Sequence, residues 1–120
     1  MIQVAKRLQT NDLNRRITLQ VKEVKRDEAN FPVPNEHEWK DVVTVWAFRE
    51  PMRGREFLAA AADHAELTVR YKIWYREGIT EDMRLYDKKD ERTYEIKVVL
   101  DDVFDDRTET HIMAAVTSNA

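Results

Sequence analysis

The chain is 120 residues long with 20 Lys or Arg and 23 Asp or Glu, a formal net charge of -3, and 36% of its residues are charged against 42% hydrophobic. That is one domain with a heavily charged surface, spanning 1–120 with no room for a second. It has no cysteine and only two glycines, Gly54 and Gly78, which excludes disulfides, thiolate metal sites, Cys nucleophiles and glycine-rich phosphate loops. No apolar run approaches the roughly 18 residues of a membrane span, and Met1 to Thr10 lacks the apolar stretch of a secretory signal. The chain is therefore expected to act in a cytoplasm, or in something assembled there. Residues 1–60 carry a net charge of +2 and residues 61–120 one of -5. No basic stripe suited to gripping a phosphate backbone is visible.

In chain order, residues 1–12 read as a frayed end. Arg16 to Lys22 alternates apolar and polar residues without a fault, the pattern of a half-buried strand. Val24 breaks the phase, which predicts a bulge or strand end near Glu23. From Arg26 to Glu38 there is no periodicity, and Pro32 and Pro34 deny ladder donors, so 26–38 reads as a long exposed loop. Trp39 to Glu50 is a second strand with Val42, Val43, Val45, Trp46 and Phe48 apolar on both faces. Such a strand expects cover on both sides, one of them from outside its own core. Pro51 ends it.

Arg53 to Ala65 reads as a helix, with an alanine run at 59–62, Glu56 in its first turn and Gly54 at its joint with the strand. Glu66 to Tyr75 alternates again, and Gly78 suits a turn. Met83 to Tyr86, Tyr94 to Leu100 and Thr108 to Val116 are further strands, separated by a charged turn at 87–91 and an acidic loop at 101–106. Residues 117–120 read as a frayed tail. Six short antiparallel strands with one inserted helix point to a mainly β fold, a small barrel.

Chemical sites are sparse. His37, His64 and His111 have no companion at helical spacing, which leaves surface positions as the plain reading and no metal or catalytic role. Ser118 is the only serine. Asp101, Asp102, Asp105 and Asp106 concentrate acid in one loop but lack the spacing and glycine of a calcium loop, so a solvated turn is expected. Trp74, beside Arg70, Lys72 and Arg76, could stack single-stranded bases over a cationic track. The plainer alternative is that Trp74 meets a neighbouring subunit or shields a charged strand. No cofactor or enzymatic activity is expected.

Taken together, several segments resemble the small phage head–tail joining proteins, also called head–tail adaptor or head-closure proteins. The likeness runs from about Asp12 to Val116. It includes Leu13 to Gln20, Trp39 to Ala47, Trp46 with Glu50 to Phe57, Gly78 to Leu85 and Tyr94 to Val99. The turn from Asp87 to Arg92 departs from the Asp-Gly often found there. The resemblance implies a β-barrel subunit with an inserted helix, copies of which form a ring, dodecameric in well-known members. That ring sits at the neck of a tailed virion, beneath the portal. It would contact itself, a portal or adaptor protein and tail proteins, assemble in the bacterial host cytoplasm, let double-stranded DNA pass without specific binding, and touch no membrane. On this reading Trp46, Phe48, Pro51, Gly54, Glu56, Phe57 and Trp74 are interface candidates, and Asp101, Asp102, Asp105 and Asp106 face the channel.

Overall fold

The computed structural model describes residues 7–51 and 69–116. Six antiparallel strands follow a 3-10 turn at Thr10–Asp12: β1 (Arg15–Arg26), β2 (Pro32–Pro51), β3 (Val69–Trp74), β4 (Arg84–Asp87), β5 (Arg92–Leu100) and β6 (Glu109–Val116). They pair in the order β1-β2-β3-β6-β5-β4, and β1 also pairs with β4 from Ile17↔Asp87 to Gln20↔Arg84, so the sheet closes on itself. The expected six-stranded antiparallel architecture is present. The expected helix at Arg53–Ala65, with Gly54, Glu56 and Phe57, lies outside the described residues, as does the 117–120 tail.

The alternation that marks these strands also fills the barrel. Ile17 and Leu19 of β1, Ala47 of β2, Tyr71 and Ile73 of β3, Leu85 of β4, Tyr94 and Ile96 of β5, and Ile112 and Ala114 of β6 form one buried cluster. Val43 and Val45 pack against it from β2. Each fully buried aliphatic side chain contributes about 1.5–3 kcal/mol relative to exposure.

The sequence-based reading of 26–38 as a loop is corrected. β1 runs on to Arg26 and β2 begins at Pro32, with Lys22↔Trp39, Glu23↔Glu38, Val24↔His37 and Arg26↔Pro32 as partners. Of the bulge or strand end expected near Glu23, the irregularity is present, as a register shift at Val24/Arg26, and the strand continues through it; a further shift falls at Leu19/Gln20. The prolines mislead because a two-stranded ribbon leaves each strand a free edge, where a missing N–H costs nothing. Pro32 stands at the first position of its strand, and Pro34 falls in the irregular stretch opposite the Val24/Arg26 shift. Asn35 takes φ 62°, a left-handed conformation that asparagine tolerates.

The ribbon tip has its own scaffold. One oxygen of the Asp27 carboxylate accepts the Ala29 and Phe31 N–H groups at 2.9 Å each, Asn30 N–H donates to the Asp27 carbonyl at 2.9 Å, and Asn30 sits at φ 67°. These local bonds fold the turn without a core. Phe31 at the tip is 65% exposed.

Residues from Arg7 on, expected to be frayed, are docked on the barrel. Leu8 is buried and its N–H donates to Glu109 Oε2 at 2.8 Å. The Arg7 guanidinium meets Asp106 at 2.7 Å and lies 3.8 Å over the Phe104 ring.

Candidate assembly interface

The barrel interior holds a polar cluster at one end. Asp87, fully buried at the end of β4, accepts a hydrogen bond from Tyr71 Oη at 2.7 Å and from Arg15 Nη1 at 3.0 Å. Its other oxygen accepts the Lys89 N–H at 2.9 Å and the Asp90 N–H at 3.3 Å, which shapes the β4–β5 turn. Tyr71 packs edge-on against Tyr94 at 5.6 Å, and Arg49 donates to Tyr94 Oη at 3.4 Å. Burial raises the Asp87 pKa, but the Tyr71 and Arg15 hydrogen bonds outweigh it and hold the carboxyl below its usual range. Burial together with the Asp87 hydrogen bond pushes the Tyr71 phenol far upward. Perturbed groups of this kind can mark catalysis, yet Asp87, Tyr71 and Tyr94 do not line the groove described below. The cluster ties side chains of β1 to β5 together.

A second buried set corrects the surface reading of His111. Its ring is 2% exposed and bonds Glu109 Oε1 through Nε2 at 3.0 Å, with Phe104 edge-on at 6.2 Å. Burial lowers the His111 pKa; the Glu109 hydrogen bond opposes this, while Arg70 and Lys72 reinforce it. His37, by contrast, is exposed on the ribbon, and His64 lies outside the described residues. Because the folded pKa lies below the ordinary 6.5, the unfolded chain takes up the proton first on acidification. The stability that neutral His111 contributes is complete above the unfolded value and is lost as pH falls from there toward the folded one. Melting curves from about pH 7 to about pH 5 should show wild type losing stability that His111→Gln does not lose. Equal losses in the two proteins would refute this role.

The outer surface brings two of the predicted interface residues together. β2 and β3 pair only from Pro51↔Val69 to Phe48↔Lys72. Beyond that point the strands part, where the same register would set Trp46 opposite Trp74. A groove of about 500 Å³ opens there, lined by both indoles with Val45, Ile73 and Tyr75 and closed at its rim by Thr10, Leu13 and Arg76. Trp46 is 49% and Trp74 43% exposed. The Arg16 guanidinium lies 5.1 Å from the Trp46 ring and supports it from β1. Trp74 is set by the end of β3: Tyr75 N–H donates to the Thr108 carbonyl at 2.9 Å, Arg76 N–H to Thr110 Oγ1 at 3.1 Å, and Thr110 Oγ1 donates to the Asp101 carbonyl at 2.7 Å. Gly78, at φ 89°, turns the chain just after it.

Phe48 is half-buried on the neighbouring row, 5.8 Å from the Lys72 ammonium. Pro51 ends β2 opposite Val69. Leu13 and Arg76 shape the groove rim; the sequence reading had Arg76 only as part of a cationic track beside Trp74 and Leu13 only in the opening segment of the resemblance, because nothing local shows that they meet. The same geometry weakens the nucleic-acid alternative. Lys72 is only 5% exposed and is 3.4 Å from Glu50, and Arg70 is half-buried, so of the cation track beside Trp74 only Arg76 is exposed.

The acidic loop is more ordered than a turn of mutually repelling charges. Asp102 Oδ1 accepts the Arg107 N–H at 2.8 Å, and Asp106 holds Arg7 and Thr108. Asp105 and Arg107 both take φ 58°. Asp101 and Asp105 remain exposed, while Asp102 is half-buried. Among the described residues no group of three or more His, Cys, Asp or Glu could hold a metal ion.

These features define a class: a small, mainly β protein with aromatic side chains turned outward and a protruding ribbon. The model of the phage head completion protein family matches residues 8–117, and the chain belongs to that family of structural virion proteins. It is similar to the solution structure of protein SF1141 from Shigella flexneri 2a, with a TM-score of 0.67 and 25% identity, covering 94% of this chain and 100% of that one. A chain of the virion of a native gene transfer agent particle matches with a TM-score of 0.52 and 15% identity, covering 88% of this chain and 96% of that one, a likeness of fold. No curated protein matches the chain.

Proposed function

We propose that this chain forms a ring, of twelve copies by the family resemblance, at the neck of a tailed phage. There it joins the portal-bearing, DNA-filled head to the tail and closes the head. The family match over 8–117 carries this reading. The surface supports it. A ring subunit meets two neighbours through different patches, and here an aromatic groove and a ribbon occupy different parts of one molecule. The partners are further copies, a portal or adaptor protein and tail proteins, met as the virion assembles in the host cytoplasm. The acidic loop lines the channel, where Asp101 and Asp105 repel the duplex and let it slide.

Electron microscopy of lysates from a phage lacking this protein tests the role. DNA-filled or leaking heads without tails are expected, with tails assembled separately. Normal tailed virions would overturn the assignment. In complemented particles, Asp101→Lys with Asp105→Lys should leave ring and tail in place but slow DNA ejection. Unchanged ejection would remove the loop from the channel.

A further inference from the structure

We infer that the groove between β2 and β3 receives the ribbon tip of a second copy of this chain, with Phe31 as the inserted side chain. The inference rests on the ring reading and supplies its contact.

The tip cannot fill the groove of its own molecule. Phe31 directly precedes β2 and Trp46 lies 15 positions further along the chain, within the same strand. At about 3.3 Å per residue, this strand holds them up to about 50 Å apart. From Glu23 to Glu38 the two strands of the ribbon pair only with each other, so this part stands clear of the barrel. The molecule extends over 62 × 30 × 26 Å. A knob and a socket that far apart on one chain give a head-to-tail contact, which closes into a ring when the rotation permits.

The two surfaces fit in chemistry. Phe31 is the most exposed large apolar side chain of the described residues, at 65%, and is presented on a turn already fixed by Asp27. Preorganisation of that kind lowers the ordering cost of docking. The groove of about 500 Å³ is walled by Trp46 and Trp74, large enough for one aromatic ring and its neighbours. Charge agrees as well. The ribbon from Val21 to Asp41 carries six acidic and four basic side chains, with Asp27 and Glu28 at its tip. Among the described residues the groove is lined by Arg76 and by no carboxylate, and Arg16 stands beside Trp46. The acid excess also argues against a duplex as the ribbon's partner.

The chain has no cysteine, so two can be introduced cleanly. Particles carrying Phe31→Cys with Arg76→Cys, oxidised and run on a denaturing gel, should show a ladder of covalent multimers. Each single variant should stay monomeric. The copy number per particle is counted in parallel by electron microscopy. Many copies in a ring without the ladder, or with Phe31–Phe31 links, would overturn the tip-in-groove contact and leave the ring standing. One copy per particle would overturn both. Phe31→Asp should melt as wild type yet enter particles about tenfold less or worse, as expected for a central anchor, and Phe31→Leu should restore most of the loss. Wild-type incorporation of Phe31→Asp would also overturn the contact.

Discussion

Asp87→Ala is expected to cost about 3 kcal/mol of folding free energy, because it strands a buried phenol and leaves the half-buried Arg15 with Asp90 alone. For a domain of this size that corresponds to a fall in Tm on the order of 15 °C. The carboxylate is fully buried and bonds side chains of β1 and β3 and two backbone N–H groups of the β4–β5 turn. Its loss leaves Tyr71 Oη and part of Arg15 without partners in a low-dielectric interior. Asp87→Asn keeps the shape and part of the bonding, so its cost should be smaller. The pH dependence has a definite sign. The folded pKa lies below the ordinary 3.8, so the ionised group's contribution is complete above that value and is lost as pH falls through the folded one. Wild type should therefore show an acid limb of unfolding below about pH 4 that Asp87→Ala lacks. An Asp87→Ala protein melting within about 2 °C of wild type would show that the clamp does not hold the barrel.

Replacing Trp46 and Trp74 together by alanine is expected to have the largest effect on assembly and little on the fold. The indoles are 49% and 43% exposed, so much of their surface is still in water when the monomer is complete. In an interface each would bury the half of its surface still exposed, on the order of 100 Å². Central tryptophans of that kind cost about 2 kcal/mol or more each on truncation. Circular dichroism and thermal melting should stay close to wild type, while incorporation into particles falls about a hundredfold or more. Wild-type incorporation would take the groove out of the assembly, whatever occupies it. A collapsed melting curve would show instead that the indoles hold the monomer together.

Most of the barrel was legible because burial writes itself as alternation. Ile17 and Leu19, Tyr71 and Ile73, and Tyr94 and Ile96 recur at every second position, and each pair lies inside. The turn at Gly78 was equally plain, since a left-handed φ of 89° favours glycine. The ribbon was not legible. From Lys22 to Glu38 nearly every residue is exposed, so no apolar face marks the ladder, and two prolines imitate a loop. Its strands are held by backbone pairing and by an Asp27 turn, which leave little trace in hydropathy.

Strand period and residue counts are local properties, so they alone establish a mainly β chain without nucleotide loops or thiol chemistry and with apolar side chains on both faces of its second strand. Which aromatics meet is not local. Trp46 and Trp74 share a groove because β2 and β3 separate after Phe48↔Lys72. That register is set by pairing between segments distant in the chain. Likewise His111, Glu109 and Lys72 are polar residues in a strand pattern that would place them in water, and all three are buried. A period of two tells which residues share a face. Whether that face meets solvent depends on what the rest of the chain lays across it.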